Sequence, residues 1–146
     1  MTEELVTLET AKLLKKKGFN ERTLFAYKNN GDLYQDPNRI ESSYNSLPVP
    51  ELCENFHTCA NFIPCNKCQI AIHLISAPNQ SFAQKWLRET KNLHIEISYM
   101  YENYWIYDIL TIPNHDLVGL SDRPIIHYKS YEEALEAGIR ESLKLI

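Results

Sequence analysis

The chain has 146 residues, 44% hydrophobic and 23% charged, the make-up of one globular domain that buries about two-thirds of its unfolded surface. A net charge of −4, with no basic run longer than Lys15-Lys16-Lys17, argues against the cationic stripe that duplex binding requires. The acidic opening MTEELVTLET lacks the apolar stretch of a signal peptide. The longest uncharged apolar run, Gln69 to Ala77, is far short of the roughly 20 residues of a membrane span. The expectation is therefore a cytoplasmic protein with no membrane partner, in a compartment that keeps thiols reduced.

The first predicted element is a helix capped by Thr7, with Glu9 in its first turn and Leu8, Ala11 and Leu14 at helical spacing. Gly18 follows Lys15, Lys16 and Lys17, so a glycine stop and a dipole-matched basic end coincide, with Phe19 folding back on Leu14. Thr23 to Tyr27 reads as a strand, and Asn30-Gly31 as a hairpin turn before Leu33 and Tyr34. From Gln35 the chain is loop-like, rich in Pro, Ser and Asn, and it leads into the four cysteines; residues 35–68 form one long excursion. Ile70, Ile72 and Leu74 then alternate as a strand.

Pro78-Asn79 opens a second helix whose apolar face is Phe82, Ala83, Trp86 and Leu87. The clearest strand follows, with Leu93, Ile95, Ile97, Tyr99 and Tyr101 on one face. Glu102-Asn103 turns it into a partner strand over residues 104–112. A Pro- and Gly-containing loop leads to a short strand near Ile125 to Tyr128. The last helix has a capping box, Ser130 with Glu133, and a face of Tyr131, Leu135, Ile139 and Leu143. Gly138 inside it costs about 1 kcal/mol relative to alanine, which points to close contact with the sheet. The order predicts an α+β fold, residues 1–146 as a single domain, with an antiparallel sheet of about five to six strands and three helices.

All four cysteines fall within sixteen positions, as Cys53-x5-Cys59-x5-Cys65-x2-Cys68. Four thiolates suit the tetrahedral preference of zinc, and Cys65-x2-Cys68 is the usual chelating pair. The expectation is one structural Zn2+ held by Cys53, Cys59, Cys65 and Cys68, with His57 or His73 as a substitute ligand. Zinc ribbons usually carry two such pairs, so four unligated thiols are the competing reading. A site of this kind is closed, so it contributes stability and not catalysis. Redox use would need the pair at a helix N-terminus, whereas here it precedes a strand.

His94-Ile-Glu96 and Pro64-Cys65-Asn-Lys-Cys68 together echo the zinc nucleobase deaminases, but in reversed order, and His94 and Glu96 lie on the polar face of a strand. Asn114-His115-Asp116 places a base beside a carboxylate without a nucleophile. With only four glycines, the chain has neither a phosphate-gripping loop nor a Gly-x-Ser-x-Gly elbow. No catalytic or cofactor-binding residue is assigned. In the tyrosine-rich hairpin, alternation sends about half of Tyr99, Tyr101, Tyr104, Trp105 and Tyr107 into the core; core packing is preferred over a binding surface.

The run Ala77-Pro-Asn-Gln-Ser-Phe-Ala-Gln-Lys-Trp-Leu-Arg-Glu89 with Asn92-Leu-His-Ile95 resembles a group of small proteins from Bacteroides-type bacteria and their phages and prophages. The tail Tyr131-Glu-Glu-Ala-Leu-Glu-Ala-Gly138 through Leu143-Lys-Leu-Ile146, and the opening Val6 to Phe19, are similar to the same group. The resemblance covers the three helices and implies no functional residue, because that group has no assigned activity. It carries the expectation of a phage- or mobile-element-type accessory protein that is non-catalytic and binds a protein partner. The alternatives are a small enzyme with a site near His73, His94 or His115, and a nucleic-acid binder using Lys12 to Lys17 with Lys85, Arg88 and Lys91.

Overall fold

A computed structural model describes residues 4–28, 30–46, 74–118 and 126–146. Those residues form an α+β fold. In chain order come α1 (Leu8–Lys16), β1 (Phe25–Tyr27), β2 (Leu33–Gln35), a 3-10 turn at Tyr44–Ser46, β3 (Ile75–Ser76), α2 (Gln80–Thr90), β4 (Leu93–Met100), β5 (Tyr104–Thr111) and α3 (Tyr131–Leu145). They divide into two compact units: residues 14–78, and residues 1–13 with 79–146.

The helix ends follow from local chemistry. Thr7 Oγ1 accepts the N–H of Thr10 at 3.3 Å, which satisfies one of the orphan donors of α1. At the other end Gly18 takes φ +96°, Phe19 N–H reaches Leu14 C=O at 2.9 Å and Gly18 N–H reaches Lys15 C=O at 3.2 Å. That bond pair is a Schellman cap, and the left-handed residue at its corner is the glycine that the conformation favours. Asn79 Oδ1 caps α2 by accepting Phe82 N–H at 2.8 Å. Ser130 caps α3 by accepting Glu133 N–H at 3.1 Å, and the Glu133 carboxylate returns to Lys129 N–H at 3.2 Å.

In the unit of residues 14–78, β1 lies between β2 and β3, antiparallel to both. Lys28 and Asp32 close the β1–β2 turn, and Gly31 there has φ +94°. A small core of Ala26, Tyr44 and Leu74, with Tyr34 against it, sits under these strands. Tyr34 and Tyr44 meet edge to face at 6.1 Å. Asn45 joins segments distant in sequence: its side chain donates to Phe19 C=O and accepts Ser76 N–H, both at 2.9 Å.

Burial, with Asp36 nearby, raises both phenols above the ordinary tyrosine value, and for Tyr44 the neighbouring Tyr34 adds to the rise. A pKa raised on folding favours the neutral phenol in the folded state. The stabilisation is complete below the unfolded tyrosine value of about 10 and declines as pH climbs through and beyond it. In an alkaline titration Tyr34 and Tyr44 should ionise late and together with loss of this unit's structure. Ionisation of both phenols at the ordinary tyrosine value would contradict this.

In the other unit, β4 and β5 form a hairpin in continuous register from Leu93↔Thr111 to Met100↔Tyr104. The odd-numbered residues of both strands share one face, on which α2 and α3 pack. Leu93, Ile95, Tyr107 and Ile109 are buried there with Ala83, Leu87, Leu135, Ile139 and Leu143 of the helices. Gly138 permits the close approach of α3: a Cβ at that position would lie 2.7 Å from Ile95 Cγ2. The segment before α1 joins this unit through the Gln80 N–H, which donates to Glu4 C=O at 2.9 Å.

The expected single sheet of five to six strands is corrected to two separate antiparallel sheets of three and two strands among the described residues. The outer edge of β5 shows the physical reason. Single bridges from Tyr128 to Trp105 and from Leu117 to Leu110 cover it in place of a further strand. The strand expected near Ile125 to Tyr128 is therefore reduced to the Tyr128 bridge, with 125 outside the described residues. Of the strand expected from Ile70 to Leu74, residues 70–73 lie outside them, and the strand observed next is Ile75–Ser76.

Candidate interaction surface at the hairpin tip

The β4–β5 hairpin is longer than the stretch its helices bury. Gly138 lets α3 approach the hairpin closely at Ile95 and Tyr107. Seven residues before it Tyr131 begins the helix, roughly 10 Å away at 1.5 Å per residue. There the Tyr131 ring meets Trp105 edge to face at 5.6 Å. Beyond that contact Met100 and Tyr104 are half-buried, while the odd-numbered rings emerge into solvent. Tyr99 packs on Trp105 at 4.8 Å and remains 57% exposed; Tyr101, at the turn, is 91% exposed.

The turn itself is shaped by Glu102 and Asn103, both left-handed at φ 81° and 67°. Asn103 Oδ1 accepts the Tyr99 hydroxyl at 2.6 Å, which fixes that ring over the turn. Tyr99, Met100, Tyr101, Glu102 and Asn103 line one shallow depression. On the opposite face Tyr104 and His127 stack at 3.6 Å. The tip thus presents rigid, amphipathic rings and one carboxylate. Each ring carries apolar area on only two side-chain torsions, so little entropy is lost when a partner covers it.

The preference for core packing of the hairpin aromatics is therefore corrected for two of the five. Tyr107 is buried and Tyr104 and Trp105 are half-buried, whereas Tyr99 and Tyr101 are exposed. Alternation assigns a residue to a face; it does not tell how far along that face the covering helix extends.

The other residues singled out by sequence fall elsewhere. Cys53, Cys59, Cys65, Cys68, His57 and His73 lie outside the described residues. His94 and Glu96 are on the even-numbered face of β4, opposite Leu110 and Asp108. His115 is in the exposed turn after β5, where its N–H donates to Thr111 C=O at 2.8 Å. Of the cations considered for a basic face, Lys85 sits 4.0 Å from Glu89 and Lys91 packs over the Trp86 ring at 5.6 Å. Among the described residues no group of three His, Cys, Asp or Glu side chains is placed to hold a metal ion, and no helix is long and apolar enough to cross a membrane.

A second feature went unread in the sequence. Glu136 is buried at 7% exposure; its Oε1 accepts Thr7 N–H at 2.7 Å and its Oε2 accepts Gln80 Nε2 at 3.0 Å. The carboxylate thus sits at the N-termini of both α1 and α2, where helix dipoles favour negative charge. Its role is structural, since both oxygens are engaged within the fold. Compared with protein-family models, curated proteins and solved structures, the chain gives no match.

Proposed function

We propose that this is a small, non-catalytic accessory protein of phage or mobile-element type that acts by binding a protein partner through its hairpin tip. One observation carries the reading: Tyr99 and Tyr101 stand 57% and 91% exposed beside the Trp105–Tyr131 pair. Exposed large aromatics on a rigid hairpin are what interface hot spots are made of, and Tyr and Trp are enriched there. The resemblance of the three helices to small phage and prophage proteins supports the accessory role. In this reading the four cysteines, with zinc bound, order their own segment and take no part in chemistry.

Tyr101→Ala should cost about 2 kcal/mol of partner affinity, roughly thirtyfold, while leaving the fold intact because the ring is almost fully in solvent. Tyr101→Phe should keep most of the affinity. The measurement is capture from host lysate by the wild type and both variants in parallel. A partner retained by wild type and Tyr101→Phe but lost by Tyr101→Ala supports the reading. Identical captured sets for all three proteins, or none for any, overturns it.

A further inference from the structure

The two edges of the β4–β5 hairpin are finished differently. The Asn92–Ile112 bond, at 2.9 Å, continues the ladder of even-numbered β4 residues, so the N–H and C=O groups of odd-numbered residues point away from β5. On β5 the corresponding outward groups are engaged. Trp105 exchanges two bonds with Tyr128 at 2.9 and 3.0 Å, Ile109 C=O accepts Val118 N–H, and Thr111 N–H donates to Asp116 C=O. On β4 the Gln84 side-chain amide closes Ile95 C=O at 2.8 Å. Past that point, among the described residues, the backbone groups of Ile97 and Tyr99 have no partner.

Sheet edges left open are normally blunted by lysine, proline or a bulge. The strand LHIEISYM has none of these, and Glu96 is its one formal charge.

We propose that the β4 edge pairs with the β4 edge of a second copy, antiparallel about a two-fold axis at Ser98. In that register Ile97 and Tyr99 face Tyr99 and Ile97 of the second copy, and each facing pair exchanges two backbone hydrogen bonds. An aromatic ring opposite a β-branched side chain is a favourable cross-strand pair. Ser98 faces Ser98, and Glu96 faces Met100, so no like charges meet. The neighbouring registers are worse. One centred on Glu96 opposes two carboxylates, and it needs the Ile95 carbonyl that Gln84 already holds; one centred on Ile97 needs that carbonyl too. One centred on Tyr99 draws Tyr101 out of the turn. The Ser98 axis uses both open residues and nothing else.

This inference concerns the purified protein alone; it engages Tyr99, which the partner surface also uses, and leaves Tyr101 unpaired. The test is sedimentation of the full chain as wild type, Ser98→Lys and Ser98→Glu. Wild type should sediment at twice the chain mass. Each variant alone sets like charges face to face and should weaken the dimer by at least about tenfold. Mixing the two variants in equal amounts should restore the dimer through a Lys–Glu pair, and that recovery also shows that both variants fold. A wild type of single-chain mass at the highest attainable concentration overturns the proposal. So does a dimer indifferent to both substitutions, or one that mixing fails to restore.

Discussion

Glu136→Ala is expected to lower the stability of the helix–hairpin unit by about 3 kcal/mol, read as a fall in denaturant midpoint by tryptophan fluorescence. Both tryptophans, Trp86 and Trp105, lie in that unit, so the signal reports it directly. The loss originates at the N-cap of α1. A capping box needs a Glu or Gln at the third helical position to return a bond to the cap residue's own N–H. Here that position is Thr10, whose side chain meets Thr7 Oγ1 at 3.2 Å and leaves the Thr7 N–H unserved. Glu136, 129 positions away in sequence, supplies the missing acceptor at 2.7 Å. Truncation strands two donors: the Thr7 N–H, and the Gln80 amide, which keeps only its 3.0 Å bond to Glu132 C=O. Hydrogen bonds to a charged acceptor are worth about 1.5–3 kcal/mol each, and one remaining bond offsets part of the loss. Glu136→Gln keeps one acceptor and should retain about half the effect. Equal midpoints for wild type and Glu136→Ala would rule out this role.

Gly138→Ala should destabilise the same unit by about 1–2 kcal/mol, and Gly138→Val by about 3 or more. In an exposed helix the alanine change would instead add about 1 kcal/mol. The sign reverses because the new methyl would sit 2.7 Å from Ile95 Cγ2 and 3.3 Å from the Tyr107 ring. Ile95 is fully buried and Tyr107 nearly so, so neither can swing aside at low cost. A double-mutant cycle isolates the cause. In an Ile95→Ala background the obstructing Cγ2 is gone, and Gly138→Ala should then be neutral or stabilising. Additive losses in the double variant would place the effect in the helix backbone and not in the contact.

What could be read from the sequence divides by range. The ends of the helices were legible because a cap is settled within a few residues: Thr7, Gly18, Asn79 and Ser130 all stand where expected, although the Glu133 carboxylate returns to Lys129 N–H and not to the Ser130 N–H of a full capping box. Gly138 was legible as well, since a glycine in the middle of an apolar helix face needs a reason and close packing supplies it. That the two strands form a hairpin followed from alternation and turn residues, but its register did not: a turn of Glu102-Asn103 alone would set Tyr101 against Tyr104, whereas Tyr101 joins the turn and Met100 faces Tyr104. Sheet membership was not legible, because pairing between distant strands is decided by burial and edge coverage that no local pattern records. Glu136 was missed for the same reason. Between Leu135 and Ala137 it reads as a solvated helix residue, and only the absent Glu or Gln at position 10 hints that α1 needs an acceptor from elsewhere. At the hairpin tip the rings were identified, but their exposure depends on where α3 begins.

The Asn45 side chain has a consequence for how this fold can change over time. Asn45 and Ser76 lie 31 positions apart in the chain, yet the Ser76 N–H donates to Asn45 Oδ1 at 2.9 Å and the Asn45 N–H donates to Ser76 Oγ at 3.3 Å. Two bonds therefore bring the entry and exit of a long segment to one point on the three-stranded sheet. The entropy of joining two ends grows only with the logarithm of what lies between them, about 0.6 kcal/mol for each doubling. With the junction fixed by one asparagine and one serine, lengthening or shortening the chain between them changes the entropy of closure very little. All four cysteines fall in that interval. A lineage could acquire or discard the cysteine cluster as a cassette, while the strands on either side keep their register.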